Sequence, residues 1–190
     1  MSNENTQLFE QTFNTSADLL ALAPGRLEVL GNHTDYNEGF VLSIAVDCNT
    51  QICFKAIEGT TCQVFSAAMA DGIREFDLND IATPAAGQDW TNYVRGVVVE
   101  LQKRNYKISA FQALVTSNVP LAAGMSSSAS LEMALVTGLD QLFNLALGLK
   151  EKALIGQDCE NNYIGANTGL MDQLTSLSGR RDKTVVSEYR

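Results

Sequence analysis

Pro120 to Glu132, PLAAGMSSSASLE, sets small residues and three consecutive serines directly before an amphipathic helical pattern. Such a backbone can close around an anion, and the positive end of the following helix points into the loop. The stretch reads as an anion site, most readily for a nucleotide. Its spacing is not G-x-x-x-x-G-K-[ST], no lysine follows it, and it is not G-x-G-x-x-G, so the phosphate-gripping lysine of a P-loop is excluded. A turn with a serine N-cap would use the same residue types. Two other stretches carry chemistry. GNHTDYNEGF, residues 31–40, is a polar loop with three turn formers, and GANTGLMDQL, residues 165–174, is a second glycine loop containing Asp172. A carboxylate there could accept or orient a hydroxyl proton, or cap a helix.

Composition narrows the chemistry. The chain has 190 residues, 45% of them hydrophobic, with a mean hydropathy near zero, which suits one well-buried domain or part of a larger one. No run of 18 apolar residues exists and MSNENTQLFE lacks the basic and apolar regions of a signal peptide, so a cytoplasmic location is expected. Cys48, Cys53, Cys62 and Cys159 make no C-x-x-C pair and read as reduced, mostly buried thiols. A net charge of −9 disfavours nucleic acid and anionic membranes as partners. Lys103, Arg104 and Lys107 read as a short cluster solvated at a helix end. An acidic chain that binds an anionic nucleotide must rely on local donors and a metal ion.

The elements that position these residues follow from periodicity. A helical patch surrounds Leu8, Phe9 and Phe13. A turn at Pro24 and Gly25 precedes a short strand to Leu30. Phe40–Val46 reads as a buried strand paired with Thr50–Ile57, and weaker strands cover Gln63–Ser66 and Arg74–Leu78. A Pro/Gly break at 83–89 leads to a helix from about Trp90 to Lys103, with Tyr93, Val94, Val97, Val98 and Leu101 on its core face. Ala110–Ser117 delivers the chain to the serine loop. In the next helix Leu131, Ala134, Leu135, Leu139, Leu142 and Phe143 form one stripe, with Gly148 as its stop. A helix over about Lys150–Tyr163 reaches the second glycine loop, a short helix follows, and KTVVSEYR resembles a strand. Strands first and helices interspersed later predict an α+β fold, a mixed sheet with helices packed on it.

Three stretches taken together, APGRLEVLGNHTDYNEGFVLS, PLAAGMSSSASLE and CENNYIGANTGLMDQL, resemble in order and spacing the galactokinase branch of the GHMP small-molecule kinases. DWTNYVRGV resembles the galactokinase helix that places a tryptophan, here Trp90, beside adenine. The resemblance runs from about Pro24 to Leu177. It implies an N-terminal GHMP kinase domain (ribosomal protein S5 domain 2-like) over residues 1–190, with a sugar-binding segment at about 20–45 and an ATP-binding loop at 120–132. The family's C-terminal half, with its third glycine-rich motif, is absent from this sequence, so the chain alone is expected to be inactive.

Roles follow from the same resemblance. Leu121, Ala122, Ala123, Gly124, Met125, Ser126, Ser127 and Ser128 would bind ATP; Ser127 or Ser128, with Glu160, would hold Mg2+. Asp172 would be the catalytic carboxylate, and Arg26 its neighbour, stabilising charge in the transition state. Asn32, His33, Asp35 and Gly169 would contact the sugar. Read alone, Arg26 would be a surface ion pair, Glu160 a solvated helix residue and His33 a satisfied structural one. The implied reaction is transfer of the ATP γ-phosphoryl group to the anomeric hydroxyl of galactose, with the sugar and ATP as small-molecule partners.

The chain departs from its relatives at two positions of the first motif: Glu28 stands where galactokinases usually have Asn, and Asn32 where they have the Glu that contacts the sugar's exocyclic hydroxymethyl. Ala122 and Ala123 replace frequent glycines. A kinase for a different sugar is thus a second reading. A non-catalytic sugar and ATP sensor is a third, against which Ser127, Ser128 and Ala129 are all present, whereas sensors of that kind have lost residues in this loop.

Overall fold

The computed structural model describes residues 3–31, 37, 39–69, 71–87, 89–121 and 123–188, with only the backbone of Asn3. Helix α1 (Asn3–Phe13) precedes β1 (Leu19–Leu30), β2 (Phe40–Ala56), β3 (Thr61–Ser66) and β4 (Arg74–Asp77). Then come α2 (Thr91–Lys103), β5 (Phe111–Ser117), α3 (Ser127–Phe143) and α4 (Leu149–Asp158). A π-helical segment (Cys159–Ile164), α5 (Met171–Ser178) and β6 (Val185–Glu188) complete the described elements. The expected α+β mixed sheet is present: the strand order is β1-β2-β5-β3-β4, with β6 added to β2. β3 and β5 run parallel and the other pairs antiparallel.

Side-chain alternation decides what covers each face of the sheet. Ile52 and Phe54 of β2, with Phe111, Ala113 and Val115 of β5, join Val97, Val98, Leu101, Met133, Leu135 and Leu139 in the main core under the helices. The intervening Cys53 and Leu114 point the other way and pack against Phe9 of α1. This is why β5 is buried along most of its length although only alternate residues meet the main helical layer. All four cysteines are free, three of them buried and Cys48 partly so. Among the described residues no helix is long and apolar enough to cross a membrane.

Several local expectations are corrected. Pro24 and Gly25 make no turn; β1 runs through them with a register shift between Pro24 and Arg26. A proline is tolerated because β1 is an edge strand with no ladder partner on its outer side. Phe40–Val46 and Thr50–Ile57 do not pair with each other. They are two halves of one 17-residue strand, β2, and both lie against β1. Helix α3 stops at Asn144 in the left-handed region (φ 53°), not at Gly148, which instead begins α4. The helix expected over Lys150–Tyr163 changes to π geometry at Cys159. Arg104 is not simply solvated: it bonds Glu100 at 2.8 Å and makes a very short contact with Asp158, while Lys103 reaches Glu100 at 2.7 Å.

Close helix-to-sheet approach depends on Gly138, where a Cβ would lie 2.1 Å from the fully buried ring of Phe54. Gly138→Ala would gain about 1 kcal/mol of helix propensity, but overpacking against a locked ring costs about 1–3 kcal/mol. A net loss is expected, seen as a lower urea midpoint; a raised midpoint would show that the ring can yield.

Candidate functional site

The irregular stretch of β1 presents Arg26 to two partners far away in sequence. Its backbone N–H donates to Met125 O at 3.1 Å and its Nη1 to Gly124 O at 2.6 Å. Its Nε and Nη2 grip both oxygens of Asp172 at 2.7 and 2.6 Å. Two parallel N–H···O bonds make this the strong, orientation-specific form of the ion pair, and with side chains 13% and 21% exposed it is no ordinary surface pair. Gly25 permits the approach, since a Cβ there would lie 2.8 Å from Met125 O.

Asp172 is the second residue of α5, inside its first turn. The N-cap position belongs to Leu170, and no side chain caps this helix. The carboxylate therefore lies at the positive helix end without being spent on capping. Ser126 Oγ makes a very short hydrogen bond to Asp172 Oδ2. Ser126 itself occupies the N-cap of α3 in a left-handed conformation (φ 49°) and does not cap with its side chain. Gly124 is also left-handed (φ 72°), and Leu121, Ala123 and Gly124 are exposed. Arg26, Gly124, Ser126 and Asp172 are thus brought together.

Ser127 and Ser128, next in the chain, line a cavity of about 700 Å³, a size suited to a small molecule, whereas Arg26, Gly124, Ser126 and Asp172 do not line it. Leu121, Ser127 and Ser128 line one side, and Trp90, Tyr93 and Met69 line another. Gly169 is half-buried, three residues before Asp172. Asn32, His33, Asp35 and Ala122 lie outside the described residues.

Glu160 is on the π-helical segment and only 5% exposed. Its Oε2 accepts from Thr168 Oγ1 at 2.6 Å and from Gln173 Nε2 at 3.1 Å. It is not a solvated helix residue. It is also not brought to the cavity wall that holds Ser127 and Ser128. Among the described residues, no group of three His, Cys, Asp or Glu is gathered to hold a metal.

Two participants are not evident from the residue pattern. Glu132 is fully buried in α3, and Gln173 reaches it at 3.3 Å while also bonding Glu160. Burial, reinforced by the charge of Glu160, pushes the Glu132 carboxyl well above its usual range. A charged residue beside the apolar stripe of α3 reads as solvated. The available signal was the run MALV directly after it, which makes the helix apolar all round at that turn.

Because the folded state raises the Glu132 pKa, its contribution to stability is complete below the ordinary carboxylate range and is lost as pH rises toward the folded value. Urea unfolding in metal-free buffer should show stability falling by up to about 1.4 kcal/mol per pH unit on this account. Glu132→Gln should flatten that slope; an unchanged slope would mean that Glu132 is not the group responsible.

The chain matches the family model described as the GHMP kinases N terminal domain over residues 92–180, and the galactokinase galactose-binding signature over 7–56. It is similar to the crystal structure of Lactococcus lactis galactokinase complexed with galactose, with 34% identity and a TM-score of 0.91 over 97% of this chain and 48% of that one. The chain therefore spans about half the length of that relative. Mevalonate kinase of Methanococcus jannaschii matches at 18% identity and a TM-score of 0.75, over 90% of this chain and 53% of its own. Phosphomevalonate kinase of Streptococcus pneumoniae matches at 14% and 0.66, over 84% and 47%. These last two likenesses concern the fold alone. Two family models on one chain, over a fold that follows galactokinase along almost all of the chain's length, show that it belongs to the GHMP kinase family as an N-terminal domain of the galactokinase branch.

Proposed function

We propose that the chain is the N-terminal part of an ATP-dependent sugar kinase that transfers the γ-phosphoryl group to the anomeric 1-hydroxyl of galactose, giving galactose 1-phosphate. The observation that carries this reading is the two-point grip of Arg26 on Asp172, with the third arm of the same guanidinium on Gly124 of the serine loop. A hydroxyl acceptor beside Asp172 and a phosphate in the loop would meet at one cation. Phosphoryl transfer needs chiefly that, since its catalysis is positioning plus stabilisation of spread negative charge. Asp172 receives or orients the hydroxyl proton, and Arg26 faces the developing charge. The relative complexed with galactose supports the sugar, and the matched galactose-binding signature spans the whole segment at about 20–45 assigned to it.

GHMP kinases use ATP, assigned here to the loop at 120–132 and the cavity beside it. Mg2+ suits the donor types present: serine hydroxyls and a carboxylate are hard oxygen ligands. Glu160 Oε2 accepts from Thr168 and Gln173, which together fix the carboxylate. Ser127 or Ser128 would hold the ion, and Glu160 would join them only once its carboxylate reaches the serine wall, which it does not line in this arrangement; the bound ion would neutralise charge on the phosphates. The four free thiols agree with the cytoplasm as the compartment.

The test is ADP release with a panel of aldoses, by the chain itself and by the chain joined to the C-terminal part of the Lactococcus lactis galactokinase. Galactose-dependent release is expected from the joined protein and none from the chain alone. Asp172→Asn should lower kcat by a factor of about 10²–10⁴. Sugar binding with no ADP release from any aldose would favour the sensor. Turnover with another aldose alone would favour the second sugar reading, for which Asn32 is the responsible departure and Asn32→Glu the check.

A further inference from the structure

The cavity that takes the nucleotide in the reading above has walls from two separate loops. Ala68 and Met69 follow β3, whereas Pro84, Ala85, Gly87, Asp89 and Trp90 precede α2. Neither loop is regular structure, yet Trp90 must stand at a fixed place between them if it is to meet a planar base.

One arginine joins the two. Arg74, the first residue of β4, donates through Nη1 to Asp71 Oδ2 at 3.1 Å and through Nη2 to Asp89 Oδ2 at 2.6 Å. Asp71 Oδ2 also accepts the indole N–H of Trp90 at 3.2 Å. Asp89 uses its other oxygen to bind the backbone N–H and hydroxyl of Thr91, at 2.9 and 2.8 Å, in the first turn of α2. Burial works against the Asp89 charge, but the two Thr91 bonds with Arg74 and Arg95 together hold its carboxyl below the usual carboxylate range. The ring is therefore fixed on one side by α2 and at its nitrogen by Asp71, and the guanidinium spans both attachments.

We infer that Arg74 and Asp71 are positioning residues that set Trp90 against the nucleotide cavity, although neither is among the residues lining it. The inference rests on the nucleotide reading of that cavity, and it adds that nucleotide affinity depends on a charged bridge behind the wall. A planar guanidinium is needed because it must reach two carboxylates at once; a lysine offers only a point charge. Asp71→Asn keeps an acceptor for the indole and weakens only the ionic half of the bridge.

Trp90 is the chain's single tryptophan, so its fluorescence reports this place alone. In the ligand-free chain, Arg74→Ala and Asp71→Ala should red-shift the emission and raise acrylamide quenching, with Asp71→Asn intermediate and Arg74→Lys close to Arg74→Ala. In ATP titrations read by the same signal, Arg74→Ala should weaken binding by about fivefold, the equivalent of a partly exposed ion pair. Galactose affinity measured by calorimetry should stay unchanged. Unaltered emission and quenching in Arg74→Ala would overturn the inference, and so would altered emission with unaltered ATP affinity. If wild-type Trp90 ignores ATP while Arg74→Ala still shifts its emission, the bridge stands and the nucleotide reading of the cavity fails.

Discussion

The pairing of Arg26 with Asp172 closes a separation of 146 residues and is the constraint around which the site is arranged. An edge strand, a glycine loop and the first turn of a short helix meet at one guanidinium. A planar cation with five fixed donors can satisfy a carboxylate and a carbonyl together, which an ammonium cannot do with the same geometry. Partial burial raises the cost of leaving either partner alone, so the three elements are committed to one arrangement.

Around this pair the fold supplies stiffness from beneath. Helix α3 is buried against β1 and β2, and Ser130 ties it to the strands through Ala23 O and Thr50. Ser176 does the same for α5 through Pro24 O. Both helices that start at the site are thus tied to β1, and α3 to β2 as well. Glu132, Gln173 and Glu160 form a second, buried layer behind them. There a single amide is shared by two carboxyl groups, and burial together with the charge of Glu160 pushes the Glu132 carboxyl well up from its usual range.

Much of this was legible in the residues. Helical stripes located α2 and α3, alternation located β3, β4 and β5, and three motifs in order named the family. What was not legible had physical causes. Pro24 and Gly25 look like a turn because their reasons for being there, a missing outer strand and a carbonyl that would lie 2.8 Å from any Cβ at Gly25, are tertiary. Phe40–Val46 and Thr50–Ile57 look like a hairpin because Asp47 to Asn49 interrupt the apolar pattern without turning the chain. Glu132 looks solvated because helix periodicity cannot show a helix packed on several sides. Arg74 looks like any charge at a strand end, since its partners lie in two loops that carry no period.

The parallel alignment of β3 with β5 has a bearing on how such a site can vary. Both strands discharge their loops at the same sheet end; one becomes the Ala68–Met69 wall and the other runs to Leu121 and the serines. The two loops share a cavity but no ladder. Residues can be inserted in either without shifting a strand register, so under the proposed nucleotide reading base preference and phosphate grip would be separable traits on an unchanged sheet.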